Sequence, residues 1–214
     1  MHRIALAGSL LALAATATHA QTVLFDNYGP GDDYRTDMGM TVGEGGPVGG
    51  PKQEAAVPFT VSGGDFFFNT AEFSVILNWG EDLVFVDLLA DDNGSPGQIL
   101  QSTTASGTVE PFEMAPPMTA DFGGTTVLED GATYWIAMSA QGPDALLSWA
   151  HAWEDWGQRA WRIDSGPWQT GFGTPGLDDQ RGVLRITGTL VPTPGAAAVF
   201  AMSTLAVATR RRRA

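Results

Sequence analysis

Between residues 21 and 190 the apolar positions recur mainly every second residue, in short runs separated by clusters of Gly, Pro, Asp and Asn. A 3.6-residue period is almost absent from this region, so the pattern predicts strands rather than helices. In the segment 71–77, Ala71, Phe73, Val75 and Leu77 fall on one face, because successive strand side chains point to opposite sides. Residues 83–90 form a denser apolar run, as expected of a central strand covered on both faces. The next seven residues, 91–97, concentrate turn chemistry: Asn93 and Gly94 accept positive φ, and Pro96 interrupts a ladder. They predict a tight link into a strand at 99–104. Further strands are predicted at 22–25, 55–61, 108–112, 133–140, 146–150, 159–163 and 183–190, whereas the Gly- and Pro-rich stretch 32–51 reads as a long irregular segment. The expected fold is all-β, an antiparallel β-sandwich of jelly-roll-like type over residues 21–190.

The two ends follow a different pattern. Residues 1–20 have a basic start at Arg3, an apolar stretch from about 4 to 15, and Thr18-His19-Ala20 before Gln21. Small side chains three and one residues before the cut are those of a secretory signal peptide cleaved between Ala20 and Gln21; a buried first helix is the alternative. At the other end, residues 191–214 run Val191-Pro192-Thr193-Pro194-Gly195, then an Ala-rich apolar stretch over 196–208, then Arg210, Arg211, Arg212 and Arg213. A full crossing takes about 20 residues, so this is a short single transmembrane helix, extended by Thr209 and snorkelling arginines. The basic cluster would stop transfer and hold that end on the cytoplasmic side, with the body outside.

This tripartite end resembles the PEP-CTERM sorting signal, a Pro-x-Pro motif followed by a short transmembrane helix and a terminal Arg cluster. Thr193 stands where that family usually has Glu. The resemblance implies processing by an exosortase-type enzyme and association with extracellular polysaccharide. A plain tail anchor is the alternative. The body resembles the choice-of-anchor domains through Leu24-Phe25-Asp26-Asn27, the block from Leu88 to Gly97, Gly131-Ala132-Thr133-Tyr134-Trp135-Ile136-Ala137, and Ile186-Thr187-Gly188. That resemblance implies a β-sandwich surface domain and transfers no catalytic residue.

Composition narrows the chemistry. With 43% hydrophobic residues and seven Trp among 214 residues, the chain can bury a core without disulfides. Its lack of Cys excludes thiolate zinc sites and cysteine nucleophiles. His2 and His19 lie in the leader, which leaves His151 as the sole imidazole of the body and excludes a multi-histidine metal centre. A Ser-His-Asp relay would have to use His151, and the chain has no G-x-S-x-G elbow. Between the ends, six basic side chains stand against 24 acids, a formal charge of −18 that repels phosphate backbones and argues against nucleic-acid binding.

Two sets of residues could still carry binding. Trp149, Trp153, Trp156, Trp161 and Trp168 cluster around His151, with Glu154, Asp155, Arg159 and Arg162 as polar neighbours. Trp149 and Trp161 read as core residues of strands. Trp153 and Trp156, in a polar connection, are candidate platforms for stacking a glycan. Asp91, Asp92 and Asn93 offer oxygens to calcium, as do Asp32, Asp33 and Asp37 or Asp178 and Asp179, although such clusters also serve simply as turns. Two carboxylates could hydrolyse a glycosidic bond, but nothing in the sequence selects a pair among 24 acids. The chain therefore reads as a non-enzymatic exported protein of the cell surface or matrix, structural or adhesive. The alternative is a carbohydrate-binding module, with calcium as a candidate stabilising ion.

Overall fold

The computed structural model describes residues 20–44, 50–110, 113, 116–140, 145–173 and 180–192. The described residues contain no helix, and their strands form two sheets. The smaller sheet runs β1 (Gln21–Asp26), β14 (Leu184–Leu190), β4 (Phe66–Phe73), β8 (Met118–Asp121), with β9 (Val127–Leu128) also on β4. The larger runs β5 (Val75–Trp79), β11 (Leu146–His151), β2 (Arg35–Gly43), β3 (Gln53–Thr60), β10 (Thr133–Ala140), β6 (Leu83–Asp91), β7 (Pro96–Ser106). A hairpin of β12 (Gln158–Ile163) and β13 (Gln169–Phe172) joins it through β12 on β3. Every strand pairing is antiparallel.

The sheets close on one core, so the protein is an antiparallel β-sandwich. Phe66, Phe68, Phe73, Leu184 and Ile186 of the smaller sheet meet Val57, Phe59, Val86, Leu88, Ile136, Met138, Leu147 and Trp149 of the larger. Burying each such side chain contributes roughly 1.5–3 kcal/mol. Ring pairs tie the layers together, with Phe68 and Phe122 4.3 Å apart between centroids and Phe73 edge-on to Trp149 at 6.4 Å.

Several expectations need correction. The segment 71–77 is not one strand: it breaks at Ser74, where the chain leaves β4 in one sheet and enters β5 in the other. Phe73 and Val75 both keep their place in the core, and the Ser74 carbonyl accepts from the Ala150 N–H at 2.9 Å, so the corner loses little. Second, 32–51 holds a strand, β2, whose Met40 and Val42 enter the core. Its glycines reflect contact, not looseness: a Cβ on Gly39 would stand 2.5 Å from the Trp149 carbonyl oxygen. Third, β6 buries Val84, Val86 and Leu88 but leaves Phe85 exposed. The strands buried on both faces are β3 and β10, the latter with Ile136 and Met138 inward and Trp135 and Ala137 outward in a cluster with Ala56, Leu89, Ala160 and Trp168. Fourth, 108–112 yields one bridge, Val109 to Ile76, while 111–112 lie outside the described residues.

The turn at 92–95 forms as its residues require. Asp92 and Ser95 exchange backbone hydrogen bonds of 2.8 and 3.2 Å, with φ 55° at Asn93 and 83° at Gly94. Two positive φ values match the right-handed twist of the flanking strands. Pro96 opens β7, an edge strand where its missing N–H costs least, and the ladder to β6 shifts register between the Leu89–Ile99 and Asp91–Pro96 pairs.

Candidate functional site

Trp153 follows β11 in a turn in which Glu154 takes φ 46°. Together with the segment 27–33 after β1, this turn walls a cleft of about 550 Å³. The segment is closed by its own backbone, Gly29 N–H to Asp33 O at 2.9 Å, and by Tyr28 N–H to Asp26 Oδ1 at 3.0 Å.

Two charged hubs hold the walls. Arg185 of β14 donates to Asp26 at 2.8 Å, to Glu72 at 3.2 Å and to Asp32, and stands 5.0 Å over the Tyr28 ring. The hydrogen bond to Asp32 raises its pKa further, so its charge is permanent. Burial pushes the Tyr28 phenol above its ordinary range, against the opposing pull of Ser74 and Arg185. On the other wall Asp155 accepts from Asn27 Nδ2 at 2.7 Å, from the Gly157 N–H at 3.0 Å, and from Arg181. Asn27 Oδ1 in turn accepts from the Leu184 N–H at 2.6 Å. Asn27 and Asp155 are thus committed to structure.

The free chemistry sits between them. Trp153 is 47% exposed, with the Arg35 guanidinium 5.6 Å from its ring centroid. Arg35 is fixed by a bidentate pair with Asp37, at 3.0 and 2.7 Å, and that pair holds the Asp37 carboxyl below the usual range. Asp33 and Glu154 are exposed cleft residues whose carboxylates make no hydrogen bond or ion pair among the described residues. An anchored indole beside free acceptors suits a ligand with an apolar face and hydroxyl donors.

The other candidates are dispersed. Trp156 is half-buried, and its indole N–H is enclosed without an acceptor among the described residues. Trp149 is in the core, as expected, with its indole N–H on the Val183 carbonyl at 2.8 Å. Trp161 is not a core residue: it is 37% exposed, because the β12–β13 hairpin pairs with the sheet only along the first half of β3. Trp168 is half-buried, with Arg162 4.5 Å from its ring. Arg162 pairs with Glu54 and Arg159 donates to the Gln180 carbonyl at 3.1 Å, so neither serves Trp153. His151 is buried at the end of β11.

Asp91 is used twice within the fold, by the Trp135 indole N–H at 2.7 Å and the Gly94 N–H at 2.9 Å, and Asp92 accepts from Asn93 at 2.9 Å. Among the described residues no group of three or more His, Asp or Glu is placed to hold a metal ion. Residues Asp178 and Asp179 lie outside the described residues, as do 1–19, Thr193 to Gly195 and Arg210 to Arg213. Ala20 and Val191 are described, and Gln21 faces Thr189 across β1 and β14, so both ends of the body leave from the same end of one sheet. No helix among the described residues is long and apolar enough to cross a membrane. Asn27 and Arg35 were not legible as site residues, and Asp33 was legible only as a candidate calcium donor, since no linear spacing connects 27–35 with 153. Comparison with protein-family models and with curated proteins returns no match.

Proposed function

We propose that the protein is an exported, non-enzymatic surface domain that adheres to extracellular polysaccharide through the cleft at Trp153. The observation that carries the reading is an exposed indole, backed by Arg35 and flanked by the unengaged carboxylates of Asp33 and Glu154. A pyranose presents an apolar C–H face to the indole and donates hydroxyl protons to the acids.

The direction of the cleft supports an adhesive role. Ala20 and Val191 leave at one end of β1 and β14, whereas Asn27 to Asp33 begin at the other, about 20 Å away at 3.3 Å per residue. A body held by its C-terminal segment would therefore present the cleft away from its attachment. In this reading the leader is removed at Ala20–Gln21, and Val191 to Gly195 with Arg210 to Arg213 act as an exosortase-type sorting signal after transient membrane anchoring. The sandwich is then a jelly-roll-like module of the choice-of-anchor kind. Calcium, if it acts, would stabilise the fold rather than take part in the contact.

The test is binding of the mature protein to the host's own exopolysaccharide beside Trp153→Ala. Saturable binding that falls about tenfold in a folded variant supports the reading. Binding that the substitution leaves unchanged removes the cleft as the contact.

A further inference from the structure

We infer that the protein carries a second carbohydrate site, a notch between β2 and β12 in which Trp161 stacks against one neutral pyranose ring. The notch has a volume of about 180 Å³ and is lined by Met40, Thr41, Gln53, Ala55, Arg159 and Trp161. It exists because β2 touches β3 only at Gly43 opposite Gln53, while β12 takes over the ladder from Gln53 to Ala56. The two strands diverge, and the crevice between them is floored by Ala55.

Trp161 is held there by its neighbours. The benzo edge of its indole rests on Gly171 of β13, where an added Cβ would stand 3.3 Å from both Cζ3 and Cη2. The Arg159 guanidinium lies 6.0 Å from the ring centroid, and more than a third of the side chain remains open to solvent. Gln53 and Thr41 supply polar groups whose side chains make no hydrogen bond among the described residues. An amide that both donates and accepts, a hydroxyl that does the same, and an indole face together match a ring with an apolar face and equatorial hydroxyls.

Size and charge narrow the ligand. At ~30 Å³ per water, the notch holds the volume of about six waters, room for one ring of a chain that continues into solvent. The formal charge of −18 on the body disfavours uronic acids, and a notch lined by Arg159 and no acid disfavours cationic amino sugars, which leaves neutral sugars. The inference shares its ligand class with the proposed function, but the two sites have no lining residue in common, so each can fail alone.

The experiment titrates cellohexaose and maltohexaose, one extended and one curved neutral glucan, into the full chain carrying Trp153→Ala. Binding is followed by calorimetry and saturation-transfer NMR. Saturable binding of either glucan is expected, weakened about tenfold or more by adding Trp161→Ala and reduced by Gln53→Ala. Circular dichroism checks each fold. Should Trp161→Ala fail to fold, Gln53→Ala and Gly171→Val, which displaces the indole without removing it, decide the matter. No saturable binding in the Trp153→Ala chain, or binding indifferent to all three further substitutions, overturns the notch. Binding lost with Trp153→Ala but present in the unsubstituted chain overturns it while sustaining the cleft. Glucan binding confined to the notch sustains it, and the cleft then stands or falls by its own exopolysaccharide test.

Discussion

The buried indole N–H of Trp135 donates to Asp91 Oδ1 at 2.7 Å, while Oδ2 of the same carboxylate accepts from the Gly94 N–H at 2.9 Å. One acid thus joins the covered outer face of β10 to the β6–β7 turn. Asp91→Ala strands a buried donor and should cost about 1.5–3 kcal/mol, as expected for a hydrogen bond to a charged group. Urea unfolding in calcium and in chelator should give the same loss. A calcium-dependent Tm that disappears in the variant would instead assign the carboxylate to an ion.

Gly182 lies against the Trp149 ring so closely that an added Cβ would stand 2.5 Å from Cδ2 and Cε2. The indole cannot swing away without giving up its hydrogen bond to the Val183 carbonyl at 2.8 Å. Gly182→Ala should therefore destabilise by about 1–3 kcal/mol through overpacking. Thermal melting checks it, and an unchanged Tm would mean that the Trp149 pocket yields.

Arg35 links a pH effect to the cleft. Its hydrogen bonds hold the Asp37 carboxyl below its ordinary value, so the folded state binds this proton less readily than the unfolded chain. The resulting stability is complete above the unfolded value of about 3.9 and is lost as pH falls through the lower folded value. Arg35→Met should return Asp37 to the ordinary carboxylate range in an NMR titration. It should also alter Trp153 emission, because the guanidinium over the ring is gone.

Arg185 is the shared partner of Asp26, Asp32 and Glu72. Arg185→Met leaves three carboxylates close together without their cation, and Tm should fall at neutral pH. The deficit should shrink in high salt, which screens the repulsion among them. A deficit that stays constant would show that lost packing on Tyr28 dominates.

The sorting reading predicts a mature chain that begins at Gln21 and ends within 192–195, measured by intact mass of protein from its native host. The last strand closes at Leu190, and Val191 makes one backbone bond, to the Asp65 carbonyl at 2.8 Å. Cleavage beyond Pro192 leaves every described strand whole, so trimmed and untrimmed bodies should melt together. A mature chain still ending at Ala214 would refute processing.

Local rules made much of this fold legible. Alternation located β10 at its observed bounds, and Asn93-Gly94 specified a two-residue turn because few other pairs tolerate positive φ twice. Strand 71–77 was legible only as a pattern: its inward residues are right, yet the alternation carries no mark of the sheet change at Ser74. β2 escaped notice because its glycines read as flexibility, whereas they allow close approach to β11.

The sequence by itself determined an all-β body, its turns, the absence of thiol chemistry and the acidic charge, since these depend on period, residue type and count. The local pattern placed Trp149 in the core, but only the tertiary structure decided that Trp161 faces water. Trp149 is enclosed, Trp153 is exposed over Arg35, and Trp161 stands in a gap between diverging strands. Exposure depends on what the neighbouring strand covers, and Asp33, Arg35 and Trp153 come together only when β1, β2 and β11 take their places in the two sheets.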